Sequence, residues 1–320
     1  MAFWENKKIL VTGGHGFLGS FVVERLLNEH KVKPSQIIIP RSKDFDLRIL
    51  DNCKKAVKDV DIVIHIAGRT GGIGYNQKFP ASLFYDNLVM NTQLMEASRL
   101  EGVKKFVGIG SVCSYPKYAS IPFKEEELWN GYPEETNAAY GLAKKMMLVQ
   151  SQAYRQQYGF NGIHLLMINL YGPKDNFDEE SSHVIPALIK KFIAATHSGL
   201  EKVTVWGTGK ATREFLYVED AAEGIVLATM GYNKPEPVNF GSGMEISIKS
   251  LVETIASLTG FNGKVLWDTT KPDGQPRRCL DTSRAEKEFG FRAKTDFNEG
   301  LKKTIEWYQS KMTSAELQTR

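Results

Sequence analysis

The sequence predicts an α/β fold: a doubly wound parallel sheet carrying a smaller mixed C-terminal domain. Three observations carry that expectation. Short β-branched runs alternate with helical patterns at βαβ spacing. The runs are apolar throughout rather than alternating with polar residues, as strands covered on both faces require. A glycine-rich turn, "VTGGHGFLG" at 11–19, joins the first run to the first helical pattern.

The elements follow in order. "KKILVTG" reads as the first strand, "FVVERLLNE" as a helix, "QIIIP" as the second strand, "LDNCKKAV" as a helix, "DIVIHIAG" as the third strand, "NLVMNTQLMEASRLEG" as a helix and "KKFVGIGS" as the fourth strand. A long helix from about Ala138 to Tyr158 and a buried strand in "GIHLLMINLYGP" complete the regular alternation. From Gly172 onward the elements are shorter and rich in Gly and Pro, with Arg and Lys gathered in the connections. The expected division is therefore a dinucleotide-binding domain over 1–171, with a returning segment at about 214–240, and a mainly substrate-binding domain over 172–320. The tail "KMTSAELQTR" is expected to fray.

With 320 residues, 42% of them apolar, and a formal net charge of +4, the chain has material for a sizeable core and no charge excess that calls for nucleic acid or a membrane surface. Its three cysteines, Cys53, Cys113 and Cys279, are widely spaced and form no C-x-x-C pair, which argues against a disulfide framework or a metal site and for a reducing cytoplasm. The start "MAFWENKK" carries no export pattern, and no apolar run approaches membrane-spanning length.

Gly13, Gly16 and Gly19 form G-x-x-G-x-x-G between a strand and a helix. The missing side chains permit a tight turn, close approach of the backbone to a pyrophosphate, and tight packing of helix on strand, so the turn reads as a dinucleotide cradle. The second strand runs into Pro40-Arg41-Ser42-Lys43, where Arg41 and Lys43 favour a 2′-phosphate, and hence NADP(H) over NAD(H). Asp44 and Asp46 arrive late for the ribose, and Asp46-Leu47 is placed at the adenine edge.

Tyr140 and Lys144 are spaced Y-x-x-x-K, which on a helix puts both side chains on one face. An ammonium beside a phenol is expected to lower the phenol's pKa and make it a general acid at a carbonyl. Ser111 lies just past the fourth strand, where a parallel strand's carboxyl end opens on the ligand crevice. An extended backbone would point Ser111 and Cys113 to the same side.

On Gly13, Gly16, Gly19, Ser111, Tyr140 and Lys144 the chain resembles the extended short-chain dehydrogenase/reductases. The resemblance narrows, within that family, to enzymes that epimerise and then reduce a GDP-4-keto-6-deoxyhexose, through "GGIGYN", "GSVCSYPK", "NLYGPKDNF", "SHVIPALI", "VWGTGKATREFLYVED" and "KPDGQPRRCLD" in that order. It implies a Rossmann domain and NADPH-dependent 3,5-epimerisation and 4-reduction of GDP-4-keto-6-deoxy-D-mannose by a homodimer. Cys113 and His183 are then the base and acid of epimerisation, with Ser111, Tyr140 and Lys144 serving reduction. The cofactor falls to Gly13, Gly16, Phe17, Leu18, Gly19, Arg41, Asp46, Leu47, Lys144, Asn169 and His183, and the nucleotide-sugar to Lys191, Trp206, Arg213, Asp273 and Arg278.

The chain departs from that pattern at Lys191, where an arginine is expected, at "MIN" before Leu170, and at His15. Lysine lacks arginine's bidentate fork for a phosphate. Two rival readings stay open: a reductase or epimerase of a related 4-keto nucleotide-sugar, heptoses included, and a non-catalytic NADP(H)-sensing scaffold.

Overall fold

A computed structural model describes residues 3–312. Eleven strands lie among them: β1 (Ile9–Thr12), β2 (Ile37–Ile38), β3 (Ile62–His65), β4 (Lys105–Ser111), β5 (Gly162–Met167), β6 (Asn169–Tyr171), β7 (Lys202–Trp206), β8 (Thr212–Tyr217), β9 (Val238–Phe240), β10 (Glu245–Ser247) and β11 (Lys264–Asp268). Six of them form one parallel sheet in the order β2-β1-β3-β4-β5-β9. The order reverses at β1, so the loops leaving β1 and β3 open a crevice between them.

Residues of the central strands alternate between two cores. Leu10, Val63 and Phe106 face one apolar layer with Met95, Met147 and Phe160, while Ile9, Val11, Ile62, Ile64 and Val107 face the other with Val22, Leu26, Ile225 and Val226. Helices Pro80–Leu100 and Ala138–Tyr158 pack together, and helix Phe17–Asn28 packs on Val218–Gly231. Each fully buried aliphatic side chain contributes roughly 1.5–3 kcal/mol. That is why runs apolar at every position, and not at alternate ones, make these strands.

The run read as a single strand, "GIHLLMINLYGP", is two. Gly162–Met167 stays in the large sheet, and after Ile168 the chain passes to β6, which joins a second sheet of order β10-β8-β6. A third, two-stranded sheet pairs β11 with β7. A separate apolar cluster, including Ile185, Ile189, Phe192, Val205, Phe215, Leu251 and Ile255, fills the space among β7, β8 and the helices Val184–His197 and Ile248–Leu258. Of the tail expected to fray, residues beyond 312 lie outside the described chain.

Candidate functional site at the carboxyl ends of the strands

The glycine turn is built around close contacts. Gly13 has φ +70°, and a Cβ there would stand 2.9 Å from the Ala67 amide nitrogen; a Cβ on Gly19 would fall 2.1 Å from the Gly13 carbonyl oxygen. The first is left-handed backbone that favours glycine, and the second lets the helix Phe17–Asn28 start directly against the turn. Gly16 caps that helix without a side-chain hydrogen bond, so the first-turn amides of Phe17, Leu18 and Gly19 are left for an external acceptor. These are the features a pyrophosphate cradle requires.

The floor between β1 and β3 is a buried polar pair. His65 Nδ1 lies 2.7 Å from Thr12 Oγ1, and His65 Nε2 lies 2.9 Å from Asn91 Oδ1. Burial drives the His65 pKa down to about 3, with the Lys144 charge adding to the effect, so the ring is neutral. The Ala67 amide donates to Thr12 Oγ1 at 3.2 Å and fixes the loop after β3 against the glycine turn.

Arg41 is exposed and Leu47 is buried. Asp46 accepts from Arg48 Nε at 3.0 Å and Nη2 at 2.8 Å, and those bonds hold its carboxyl below the usual range. Arg48 also reaches Asp86, which in turn binds Arg69. Asp46 is thus one end of a charged chain that runs through Arg48 and Asp86 to Arg69.

Ser111 ends β4 and is 8% exposed. The expectation that Ser111 and Cys113 lie along an extended backbone is corrected. Residues Val112–Ser114 form a 3₁₀ turn, because Ser111 Oγ accepts the Cys113 amide at 3.2 Å and caps it. The turn is pressed against the helix Ala138–Tyr158, on which Tyr140 and Lys144 sit one turn apart, and Ser114 Oγ donates to the Gly141 carbonyl at 2.9 Å.

The expected lowering of the Tyr140 pKa by Lys144 is also corrected. Burial dominates and raises the phenol above its ordinary value, the neighbouring Cys113 charge adds to the rise, and hydrogen bonds from Thr70 and Ser111 oppose it. Lys144 is 2% exposed, and burial brings its pKa down to about 8. A Cβ on Gly68 would stand 3.2 Å from Lys144 Nζ, so the ammonium lies under the loop after β3.

His183 caps the helix Val184–His197 without a side-chain hydrogen bond. Its pKa is lowered first by burial and then by the Arg278 charge. Arg278 is 6% exposed, and its Nη1 lies 3.7 Å from Cys113 Sγ. Arg213 donates to the Thr212 and Asp273 carbonyls at 2.7 and 2.8 Å, and burial, then Arg278, bring its pKa to about 9. Trp206 is 56% exposed with Lys271 Nζ 5.2 Å from its ring centroid. The Lys191 ammonium donates to the Thr204 carbonyl at 2.9 Å, Asp273 accepts from the Thr208 amide and hydroxyl, each at 2.7 Å, and Asn169 Nδ2 donates to the Glu214 carbonyl at 3.2 Å.

Two residues here were not singled out from the sequence. Thr70 reaches Tyr140, and Gln275, 3% exposed, binds both Arg278 and the Pro116 and Lys117 carbonyls. Gln275 stands inside the quoted "KPDGQPRRCLD", but a glutamine in a Gly/Pro-rich loop reads as solvated until its burial is known.

Residues 9–241 match the NAD dependent epimerase/dehydratase family. Over 312 residues the chain is 39% identical to the GDP-L-fucose synthase of Sinorhizobium fredii, covering 97% of this chain and 98% of that one. Among solved structures, a GDP-6-OMe-4-keto-L-xylo-heptose reductase from C. jejuni superposes with a TM-score of 0.90 at 28% identity, covering 96% and 99% of the two chains. A GDP-L-fucose synthetase from Naegleria fowleri bound to NADP superposes with a TM-score of 0.85 at 31% identity, covering 95% and 94%. With the glycine cradle, the strand-end serine and the Y-x-x-x-K helix in one crevice, and with that span of similarity, the chain belongs to the NAD dependent epimerase/dehydratase family.

Proposed function

We propose that this protein is an NADPH-dependent 3,5-epimerase and 4-reductase that converts GDP-4-keto-6-deoxy-D-mannose to GDP-L-fucose. The observation that carries the reading is the meeting of Ser111, Cys113 and Tyr140 at the end of β4, with His183 electrostatically tied to the same cluster through Arg278. A reductase alone has no use for Cys113 and His183, and a sensing scaffold has no use for Ser111, Tyr140 and Lys144 together.

A ketone at C4 acidifies the hydrogens on C3 and C5. Cys113 removes such a proton, the C–H electron pair becoming part of an enolate, and His183 returns a proton on the opposite face. Ser111 and Tyr140 hydrogen-bond the C4 oxygen. The burial that raises Tyr140 keeps its proton in place until the oxygen becomes an alkoxide basic enough to take it. NADPH, when bound, supplies the hydride to C4.

The first-turn amides of Phe17, Leu18 and Gly19 hold the pyrophosphate, with Gly13 and Gly16 giving it room. Arg41 takes the 2′-phosphate, Asp46 and Leu47 border the adenine, and Lys144, Asn169 and His183 lie toward the nicotinamide. Lys191 and Arg213 meet the GDP diphosphate, Asp273 a sugar hydroxyl, Trp206 the guanine, and Arg278 the side of the sugar nearest Cys113.

The same reading makes the protein a cytoplasmic homodimer joined through helices Pro80–Leu100 and Ala138–Tyr158. Their exposed Tyr85, Val149 and Tyr158 and the three unpaired cysteines support it. Among the described residues no helix is long and apolar enough to cross a membrane.

The test is turnover of NADPH and GDP-4-keto-6-deoxy-D-mannose in D₂O, with the product examined by NMR. Deuterium at C3 and C5 of GDP-L-fucose is the expected result. Reduction without deuterium, or turnover of a GDP-keto-heptose alone, would overturn the reading.

A further inference from the structure

We propose that Arg278, carried by Gln275, is the positioning residue for the base of the epimerisation: it holds Cys113 Sγ in place for proton abstraction and sets a fixed positive charge beside it. The proposal deepens the function given above and rests on it.

The observations form a closed ring. Arg278 Nη1 points at Cys113 Sγ from 3.7 Å, and its Nε donates to Gln275 Oε1 at 3.2 Å. Gln275 Nε2 then donates to the Lys117 carbonyl at 2.9 Å and the Pro116 carbonyl at 3.3 Å, on the segment that leads away from Cys113. Backbone bonds fix the segment carrying both side chains: the Glu214 amide donates to the Arg278 carbonyl at 3.0 Å, and the Phe123 amide to the Cys279 carbonyl at 2.8 Å. Beyond these, the Leu280 amide donates to the buried Glu214 carboxylate at 2.7 Å. A guanidinium so held cannot follow a mobile ligand.

The charges around the sulfur favour the same role. Arg213 lies within electrostatic reach of Cys113, but its Nη1 and Nη2 donate to the Thr212 and Asp273 carbonyls, and it is Arg278 that donates to the sulfur. A cation donating to sulfur favours thiolate over thiol. Tyr140 is the third group facing Cys113, and its burial keeps it neutral. The same Arg278 charge acts on His183 in the direction that disfavours imidazolium. One guanidinium therefore faces both groups: it donates to the sulfur and makes the His183 imidazolium scarcer and a stronger acid.

In the step, the C–H bond at C3 or C5 breaks, its electron pair forms the enolate C=C, the carbonyl π pair moves to oxygen, and the proton goes to Sγ. No electron leaves the system. His183 gives a proton to the opposite face, and solvent later restores both groups.

The experiment compares the parent with Arg278→Met, Arg278→Lys and Gln275→Leu. One readout is deuterium exchange at C3 and C5 relative to reduction of a sugar already inverted at both carbons. The other, independent of any sugar, is the rate ratio of iodoacetate to iodoacetamide at Cys113, read by peptide mass spectrometry. Arg278→Met should lower the exchange-to-reduction ratio about tenfold or more and lower the alkylation ratio severalfold, since the anionic reagent loses its attracting charge. Arg278→Lys should recover most of both, and Gln275→Leu, which frees the guanidinium from its anchor, should fall between. Unchanged ratios in Arg278→Met, or exchange and reduction declining in step, would overturn the proposal. If the parent fails to turn over the sugar while Arg278→Met still lowers the alkylation ratio, the hold on Cys113 stands and the assigned reaction falls.

Discussion

A Cβ added to Gly141 would stand 2.1 Å from the carbonyl oxygen of Cys113. The helix bearing Tyr140 and Lys144 therefore rests directly on the turn bearing Cys113, and the groups proposed for reduction and for epimerisation share one backbone contact. Gly141→Ala should push the two apart and impair both half-reactions together, by about tenfold or more, because misplacement by an ångström costs on the order of 10²-fold. Loss of one activity alone in this variant would count against a shared contact; exchange and NADPH oxidation measured separately would decide it.

Tyr140→Phe removes the proposed proton donor at the C4 oxygen and keeps the ring's packing. NADPH oxidation should drop about 10²–10⁴-fold, while deuterium exchange at C3 and C5 persists. Full reduction by this variant would remove Tyr140 from its proposed role.

His183 gives a pH dependence with a definite sign. Burial and the Arg278 charge hold its pKa below the ordinary 6.5, so the protonated form is scarce at neutral pH and grows as pH falls. Return of a proton to the carbon should accelerate toward acid, and His183→Gln should abolish the acid-side rise. A profile of exchange against pH that is flat in the parent would exclude His183 as that acid.

Asp175 sits in the loop after β6, buried, with Oδ2 lacking a hydrogen-bond partner among the described residues and Oδ1 accepting its neighbour's amide at 2.7 Å. Burial pushes its pKa from 3.8 up to about 7. The folded chain keeps a proton that the unfolded chain releases within that window, so the stability owed to this group is present below the unfolded value and is lost as pH rises through the folded one. Asp175→Asn cannot titrate. Its Tm relative to the parent should be higher at about pH 8 than at about pH 5, by a few degrees, and an offset independent of pH would refute the burial argument.

Trp206 offers an exposed ring for a nucleobase. Trp206→Ala should raise KM for the nucleotide-sugar about tenfold, matching roughly 1–3 kcal/mol of stacking, and leave kcat and the KM for NADPH near the parent values. An unaltered KM would assign the ring to Lys271 alone.

Much of this architecture was legible from the chain order of residues. Runs such as "DIVIHIAG" announce buried parallel strands because each position must be apolar, and Gly13 and Gly19 announce the cradle because a Cβ at either would strike backbone. The spacing of Tyr140 and Lys144 places both on one helical face by helix geometry alone. The helix Ala138–Tyr158 has the bounds its pattern predicts.

Other features had to wait for tertiary structure. "GIHLLMINLYGP" is uniformly apolar, so nothing local marks Ile168 as the point where the chain changes sheets; that depends on β8 being there to pair with β6. Ser111 and Cys113 lie off an extended line because a serine hydroxyl caps the turn between them.

Residue order settles the set of elements and the chemical groups they carry, since periodicity and steric permission reside in near neighbours. The acid–base state of those groups is set by the packed fold. Desolvation, with the Cys113 charge, raises Tyr140 against the hydrogen bonds of Thr70 and Ser111, and Arg278 reaches Cys113 and His183 from a loop distant in sequence. Burial and charge are sums over everything packed around a group, and most of that arrives from elsewhere in the chain.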